Sequence, residues 1–212
     1  MTKRKANSRP GRKTTQGGQC RIIAGKWRGR IIRFEDAEGL RPTTDRIRET
    51  VFNWLQAYVP QSYCLDCFAG SGVLGFEALS RGASEVVFIE QNKITVNNLI
   101  DNSRQLEADK AIIIHQNALL WLQAMSSDGG LNGCHAGPLR NKFDLVFLDP
   151  PFDSNLLETS SAWLHNSACL AEGAVIYVEH AVNSKVVLPA SWLCLKEKHS
   201  GQVSYKLYQN RT

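Results

Sequence analysis

One glycine-rich segment of this 212-residue chain has the residue types and spacing to hold a ligand. An apolar run ends in Asp66-Cys67-Phe68 and continues into Ala69-Gly70-Ser71-Gly72-Val73-Leu74-Gly75. Glycines at 70 and 72 allow the backbone to turn sharply and to approach a ligand with no Cβ in the way. The helix that we expect next points its free N–H groups at the same place.

A carboxylate follows at the end of the next apolar run. Glu90 lies 20 residues after Gly70, where a carboxylate can hold the two hydroxyls of a ribose. Read literally, Gly70-x-Gly72-x-x-Gly75 with Glu90 is also a dinucleotide fingerprint. We therefore expect a nucleoside-containing cofactor, and a dinucleotide-dependent oxidoreductase stays open as an alternative at this point.

The segment Asp149-Pro150-Pro151-Phe152 follows the apolar run 143–148, the fourth of its kind, and could do chemistry on a base. Two prolines cannot extend a central strand, so they fix a rigid turn at the carboxyl edge of the sheet, where open α/β sheets bind ligands. The Asp149 carboxylate and the Pro150 carbonyl can accept hydrogen bonds from an exocyclic amine, and Phe152 offers a face on which a base can stack. Hydride-transfer chemistry does not call for this segment.

Positive charge is concentrated at the amino end of the chain. The net charge is +5, yet residues 1–33 hold 11 of the 25 basic residues and no acid, so residues 34–212 have 14 bases against 20 acids. We expect a disordered leader over 1–18 and a short hairpin over 20–34, whose cations lie beside Trp27 and form a nucleic-acid surface. Alternatively, the arginines only solubilise a hairpin that packs on the core. The candidate RNA-binding residues are Arg21, Lys26, Arg28, Arg30 and Arg33.

The segments that position these residues alternate between strand and helix patterns. After a helix that opens near Arg41-Pro42-Thr43-Thr44 and stops before Pro60, strands are predicted at 63–68, 86–90, 111–115, 143–148 and 174–179. Helices are predicted between them at 73–81, 92–107, 117–125 and 155–168. Strands this apolar indicate a mostly parallel sheet with helices on both faces. The segments 193–198 and 202–209 add a carboxyl-terminal antiparallel hairpin. We expect a single domain over 19–212, with 126–142 as a surface loop.

Several classes of protein are excluded by composition. No apolar run approaches the roughly 20 residues that span a bilayer, and no secretory signal opens the chain. The six cysteines then read as reduced, mostly buried thiols of a cytoplasmic protein. Cys64-x-x-Cys67 lies on a strand with no second pair to complete a metal site, so we expect no metal. A short-chain dehydrogenase would need Tyr-x-x-x-Lys, which is absent from the sequence.

These motifs together resemble the class I S-adenosylmethionine-dependent amino-methyltransferases. The match extends through residues 21–30, 40–50 and 201–209, and over about 19–210 the chain resembles the RsmD family. That family methylates the N2 amine of a guanine in small-subunit (16S) ribosomal RNA. The resemblance implies a Rossmann-like α/β fold with a mostly parallel seven-stranded sheet, S-adenosylmethionine as cofactor, and 16S rRNA as partner, free or within an assembled or assembling small subunit. An adenine-N6 or cytosine-N4 DNA methyltransferase is the alternative within the class, and we expect a monomer.

The resemblance also implies roles for individual residues. Residues 41–46 lie where related enzymes close over the methionine end of the cofactor. Asp149, Pro150, Pro151 and Phe152 match the catalytic loop. The cofactor-binding positions are Asp66, Phe68, Gly70, Ser71 and Gly72 in the turn, Glu90 at the ribose, and Asn117 and Ala118 beside the adenine.

Overall fold

The computed structural model describes residues 17–34, 45–127, 142–152 and 155–211. Most of the basic leader, most of the 126–142 loop and residues 41–44 of the segment expected to close over the cofactor lie outside the described residues. The helices and strands are β1 (Gly18–Arg21), β2 (Ile31–Phe34), α1 (Asp45–Trp54), β3 (Tyr63–Asp66), α2 (Val73–Ser80), β4 (Glu85–Glu90), α3 (Lys93–Leu106), β5 (Ala111–His115), α4 (Ala118–Ser127), β6 (Phe143–Leu148), α5 (Leu156–Asn166), β7 (Leu170–Ala181), β8 (Trp192–Ser200) and β9 (Val203–Asn210).

A seven-stranded sheet runs in the order β5-β4-β3-β6-β7-β9-β8. The first five strands in that order are parallel, and β9 pairs antiparallel with both β7 and β8. The predicted Rossmann-like class I methyltransferase fold with a carboxyl-terminal antiparallel hairpin is confirmed. Strand order reverses at β3, which has β4 on one side and β6 on the other. A ligand crevice is expected at such a switch point, outside the carboxyl ends of these strands.

Each face of the sheet is covered by helices, because its parallel strands are apolar on both sides. On one face, α1, α2, α3 and the amino-terminal hairpin share a core in which Phe52 and Phe147 have ring centroids 6.1 Å apart. On the other face, α4 and α5 pack on the sheet, and the rings of Trp121 and Phe143 lie 6.2 Å apart. The sheet is therefore buried between two layers, and the loops at its carboxyl edge are attached to strands that are packed on both faces.

Several strand boundaries differ from those predicted, most of them by one or two residues, among them the end of β3 and the start of β7. β3 ends at Asp66 rather than at 68, because the N–H of Ala69 donates to the carbonyl of Ile89 (3.0 Å) and the chain has already begun to turn. β7 begins at Leu170, several residues earlier than expected, since its first part pairs with Phe143 before a register shift. Neither difference moves a candidate site residue away from the carboxyl edge.

The amino-terminal hairpin is bound to α2 through two buried polar side chains. The carboxylate of Glu77, with no exposed surface, accepts the backbone N–H groups of Ile23 (2.8 Å) and Ala24 (3.0 Å). The hydroxyl of Ser80 accepts the N–H of Trp27 (2.9 Å) and donates to the carbonyl of Ala24 (2.6 Å). These bonds satisfy backbone groups that burial would otherwise leave unpaired, so the hairpin is a fixed part of the structure.

The charge of Glu77 is balanced inside the core. Arg81 donates from Nε to its Oε1 (2.7 Å), and the guanidinium of Arg48, also with no exposed surface, lies 3.8 Å from its Oε2. The guanidinium of Arg48 also donates a hydrogen bond to the carbonyl oxygen of Arg21 in β1 (3.0 Å). A buried charge of this kind is tolerated only when it is paired and hydrogen-bonded, so these contacts tie α1, α2 and the hairpin together.

Candidate active site

The turn between β3 and α2 requires its glycines. Gly70 has φ 49° and Gly72 has φ 75°, in the left-handed region that side chains disfavour. A Cβ on Gly72 would lie 2.4 Å from Cδ2 of Leu99, and one on Gly75 would lie 2.3 Å from Cε1 of Phe88. The glycines therefore allow both the sharp turn and the close approach of α2 to β4.

Asp66 holds the start of α2 against the end of β3. Its side chain is buried, and Oδ2 accepts the N–H of Gly75 at 3.1 Å. Burial raises the pKa of Asp66 to about 8; the hydrogen bond from Gly75 opposes this rise, and the charge of Glu90 adds to it. Asp66 is thus a structural support under the turn as well as the first residue of the cofactor motif.

Glu90 closes the turn from the neighbouring strand. Its Oε2 accepts the N–H of Gly70 (3.0 Å), and its Oε1 accepts the N–H of Asn92 (2.7 Å). Because each carboxylate oxygen has a second lone pair, the half-exposed side chain can accept further hydrogen bonds. The carboxylate lies at the mouth of the glycine turn, where a ribose would meet it.

The residues expected beside the adenine follow β5 at the same edge. The N–H of Gln116 donates to the carbonyl of Glu90 (3.0 Å) and brings this segment against β4. Asn117 donates from Nδ2 to Oε1 of Gln91 (2.9 Å), and its Oδ1 accepts the N–H of Leu120 (3.1 Å) as a cap of α4. The Asn117 side chain therefore supports the start of α4, and Ala118 beside it is buried. Of the remaining turn positions, Phe68 is half-buried and Ser71 is buried.

The Asp149–Phe152 segment leaves the sheet beside the glycine turn. Asp66 on β3 is in register with Phe147 on β6, so Asp149 follows β6 at the edge where the turn follows β3. Asp149 and Phe152 are half-buried and Pro150 is buried. A cleft of about 190 Å³ adjoins this segment, lined among others by Pro150, Pro151, Phe152, Glu179, His180 and Lys185. The structure thus places the two motifs after adjacent strands at the same edge of the sheet, and the residues that line this cleft come from the Asp149–Phe152 side of that edge.

The five candidate RNA-binding cations are exposed, but the aromatic beside them is not available. Trp27 is buried, with 7% of its surface exposed, so its ring packs on the core and cannot stack on a base. Arg21 donates to the carbonyl of Gly29 (3.0 Å) and Arg30 to that of Gln105 (2.6 Å). Within the part of the chain that the structure describes, the side chains of Arg28 and Arg33 have no hydrogen-bond partner, and Lys26 lies over the ring of Trp27 at 5.4 Å.

The hairpin contacts the carboxyl-terminal halves of two helices. Its turn meets Glu77 and Ser80 of α2, and Asn102 of α3 accepts the N–H of Arg33 (3.1 Å). Helices of a parallel α/β unit run opposite to the strands, so these contacts lie away from the carboxyl edge. The basic surface therefore lies away from the carboxyl edge of the sheet, at which the Asp149–Phe152 segment and its cleft lie.

Sequence reasoning missed three residues that shape this region: Arg48, Glu77 and Glu179. An acid inside the apolar segment 73–80 is a signal that could have pointed to Glu77. Glu179 ends a predicted strand, as Glu90 does, and the same logic could have placed it at the carboxyl edge. Arg48 has no such signal, because its helix carries two arginines, Arg46 and Arg48, and only the packing shows which one is buried.

Within the described residues there is no disulfide, no metal site and no membrane-spanning helix. Cys64 and Cys67 belong to the cores on opposite faces of the sheet, and the described cysteines are free thiols. Cys134 lies outside the described residues. Across 17–34, 45–127, 142–152 and 155–211, there is no group of three His, Cys, Asp or Glu side chains that could hold a metal ion. In these same ranges no helix has the length and apolarity to cross a membrane.

The raised pKa of Asp66 predicts a specific pH dependence of stability. Below its unfolded pKa of about 4, Asp66 is protonated in both states; as pH rises towards 8, the unfolded chain loses this proton first, so folding stability falls. Asp66→Asn keeps an acceptor for Gly75 and removes the titration. In urea unfolding at pH 5 and pH 8, we expect a smaller loss of stability for Asp66→Asn than for the wild type. An equal loss in both proteins would contradict this origin, and Asp101→Asn on exposed α3 is the matched control.

Comparison with known proteins agrees with this geometry. A family model described as "Conserved hypothetical protein 95" matches residues 20–209. The Ribosomal RNA small subunit methyltransferase D of Haemophilus influenzae is 46% identical over 195 residues, covering 91% of this chain and 95% of that protein. The protein of the same name from Escherichia coli strain K12 is 44% identical over 193 residues, covering 91% and 90%.

A solved structure shows the same architecture. The structure of yhhF from Escherichia coli is 42% identical, superimposes with a TM-score of 0.79, and covers 92% of this chain and 99% of that one. A family model over most of the chain and relatives at this identity establish membership. The motifs around the crevice, the fold and these relatives agree, and the chain belongs to the RsmD family, the ribosomal RNA small subunit methyltransferases D.

Proposed function

We propose that this chain transfers the methyl group of S-adenosylmethionine to the exocyclic N2 amine of a guanine in small-subunit ribosomal RNA. The observation that carries this is the placement of the Asp149–Phe152 segment beside the glycine turn, on adjacent strands at the switch point of the sheet. Methyl transfer to ribosomal RNA is the activity in the names of the curated relatives. The choice of guanine N2 rests on the family resemblance.

The glycine turn fits the cofactor. Gly70 and Gly72 leave the backbone uncovered, and Glu90 offers carboxylate oxygens to the ribose hydroxyls. Asn117 and Ala118 follow β5 at the side where an adenine would lie. When bound, S-adenosylmethionine supplies an electrophilic methyl on a sulfonium, with S-adenosylhomocysteine as the leaving product.

The loop after β6 positions the nucleophile. The N2 lone pair of guanine is delocalised into the ring and is a poor nucleophile. If the Asp149 carboxylate and the Pro150 carbonyl accept its two hydrogens, the nitrogen is favoured in a pyramidal form whose lone pair faces the methyl. Transfer of the methyl to this nitrogen would leave neutral S-adenosylhomocysteine and a cationic nitrogen, which would then release a proton to solvent water. Positioning of this kind contributes roughly 7–11 kcal/mol to a bimolecular transfer.

The basic hairpin is proposed to contact the phosphates of the RNA away from the reacting base. Arg21, Lys26, Arg28, Arg30 and Arg33 are exposed, and Glu77 and Ser80 fix their backbone to α2. Because the hairpin contacts helices away from the carboxyl edge of the sheet, its contacts with RNA would hold and orient the RNA rather than take part in the transfer. The partner is 16S rRNA, the compartment is the cytoplasm and the protein acts as a monomer.

The first prediction concerns the cofactor. We expect S-adenosylmethionine and S-adenosylhomocysteine to bind and NAD not to bind. Glu90→Gln should weaken S-adenosylhomocysteine by about tenfold or more, since hydrogen bonds to a charged acceptor contribute about 1.5–3 kcal/mol. Isothermal calorimetry measures both, with Glu172→Gln as an exposed control on β7. Binding of NAD more tightly than S-adenosylhomocysteine would show that the site has been assigned to the wrong cofactor.

The second prediction separates the reacting loop from the cofactor site. Asp149→Ala and Phe152→Ala should each lower the rate of methyl transfer by about a hundredfold, since misplaced reactants lose the advantage of alignment. Affinity for S-adenosylhomocysteine should change little, because these side chains are assigned to the base. Single-turnover assays and calorimetry give the two readings, with Asp109→Ala, exposed before β5, as control. A tenfold loss of cofactor affinity in either variant would assign the loop to the cofactor instead.

The third prediction concerns the hairpin. Replacing Lys26, Arg28 and Arg33 with Gln should raise KM and leave kcat unchanged. The slope of log affinity against log salt should fall by roughly 0.7–0.9 for each phosphate that the variant no longer neutralises. Fluorescence anisotropy with an rRNA fragment at several salt concentrations measures this. Lys110, Lys196 and Lys198, all exposed elsewhere, changed together to Gln form the charge-matched control. A slope that falls equally in both triple variants would mean that the hairpin has no special role.

A further inference from the structure

A second carboxylate lies next to Asp149 at the carboxyl edge of the sheet. Leu148 on β6 is in register with Val178 on β7, so the residues that follow them, Asp149 and Glu179, are neighbours across adjacent parallel strands. Glu179 is 4% exposed, and it lines the same cleft as Pro150 and Phe152. The cleft therefore carries a carboxylate that the proposed transfer does not use.

The side chain of Tyr177 fixes the orientation of the Glu179 carboxylate. The hydroxyl of Tyr177 donates to Oε2 of Glu179 at 2.7 Å, and the Tyr177 ring is fully buried with its edge towards Phe147 (6.3 Å). Burial raises the pKa of Tyr177 well above its usual value, and the charges of Glu179 and Asp149 raise it further. Tyr177 thus keeps its proton, and its hydroxyl stays a donor to the carboxylate. A carboxylate has about four acceptor positions, so Glu179 can accept a further hydrogen bond from a ligand in the cleft.

Two neighbouring carboxylates distinguish guanine from the other bases that carry an exocyclic amine. In guanine the ring nitrogen beside the amine-bearing carbon is N1, which carries a hydrogen and donates. In adenine and cytosine the corresponding nitrogens, N1 and N3, are acceptors. A carboxylate beside the one that holds the amine would attract the first arrangement and repel the other two.

We propose that Glu179 is the residue that makes this site specific for guanine, by accepting the N1–H of the base whose N2 amine lies at Asp149 and Pro150. Tyr177 is its positioning residue. This inference rests on the proposed function and adds to it a reason for the choice of base, since the Asp149–Phe152 loop alone suits any exocyclic amine.

The test uses an rRNA fragment whose methylated guanine is replaced by 2-aminopurine. This analogue keeps the N2 amine and lacks the hydrogen on N1. We expect the wild type to prefer guanine over 2-aminopurine by about ten- to a hundredfold in kcat/KM, the value of a hydrogen bond to a charged acceptor. In Glu179→Gln, kcat/KM for the guanine substrate should fall. The ratio of kcat/KM for 2-aminopurine to that for guanine should rise, because the amide of Gln can donate a hydrogen bond to the unprotonated N1. The preference should then shrink to about threefold or less.

Two further variants keep the test decisive. Tyr177→Phe retains the buried ring and should reduce the preference part of the way. Glu158→Gln also changes a carboxylate at the cleft, one that accepts the N–H of Val187 (2.8 Å), and should leave the preference as in the wild type. Calorimetry with S-adenosylhomocysteine confirms that each variant is folded. An unchanged preference in Glu179→Gln would overturn this inference alone, whereas a wild type that methylates no guanine would overturn the proposed function as well.

Discussion

The close approach of α2 to the sheet is the constraint on which the rest of this structure depends. Position 75 needs a glycine, because a Cβ there would lie 2.3 Å from the ring of Phe88. The N–H of Gly75 donates a hydrogen bond to the buried side chain of Asp66 at 3.1 Å. This contact sets the path of the turn from β3 and the depth of α2, whose eight residues are all buried. A bulkier residue at position 75 would push the helix outward and open the turn at its amino end.

Because α2 is short and fixed, it joins the two regions to which we assign cofactor binding and RNA binding. Its amino end borders the cofactor turn, which Glu90 closes from β4. Its carboxyl-terminal half presents Glu77 and Ser80 to the backbone of the basic hairpin. Through α2, the hairpin is held at a constant distance from the glycine turn. An RNA that contacts both would be positioned by a rigid frame rather than by a moving arm.

The sequence was sufficient for the fold and for the arrangement of the main motifs. Strand and helix periods predicted a mostly parallel sheet with helices on both faces, and the prolines after Leu148 placed Asp149 at its carboxyl edge. The roles of individual side chains needed the three-dimensional packing. Trp27 alternates with arginines in the sequence, and only the contact of the hairpin with α2 turns its ring inward. Glu179 reads as the end of a buried strand, and only the register between β6 and β7 sets it beside Asp149.

Mass spectrometry of 16S rRNA from a strain that lacks this protein tests the proposed function most directly. We expect one N2-methylguanine to be absent from the deletion strain, to return when the wild-type chain is supplied, and to stay absent when Asp149→Ala is supplied. An rRNA whose methylation is unchanged by the deletion, or the loss of a methyl group from adenine or cytosine instead, would contradict the assignment of this site to guanine N2.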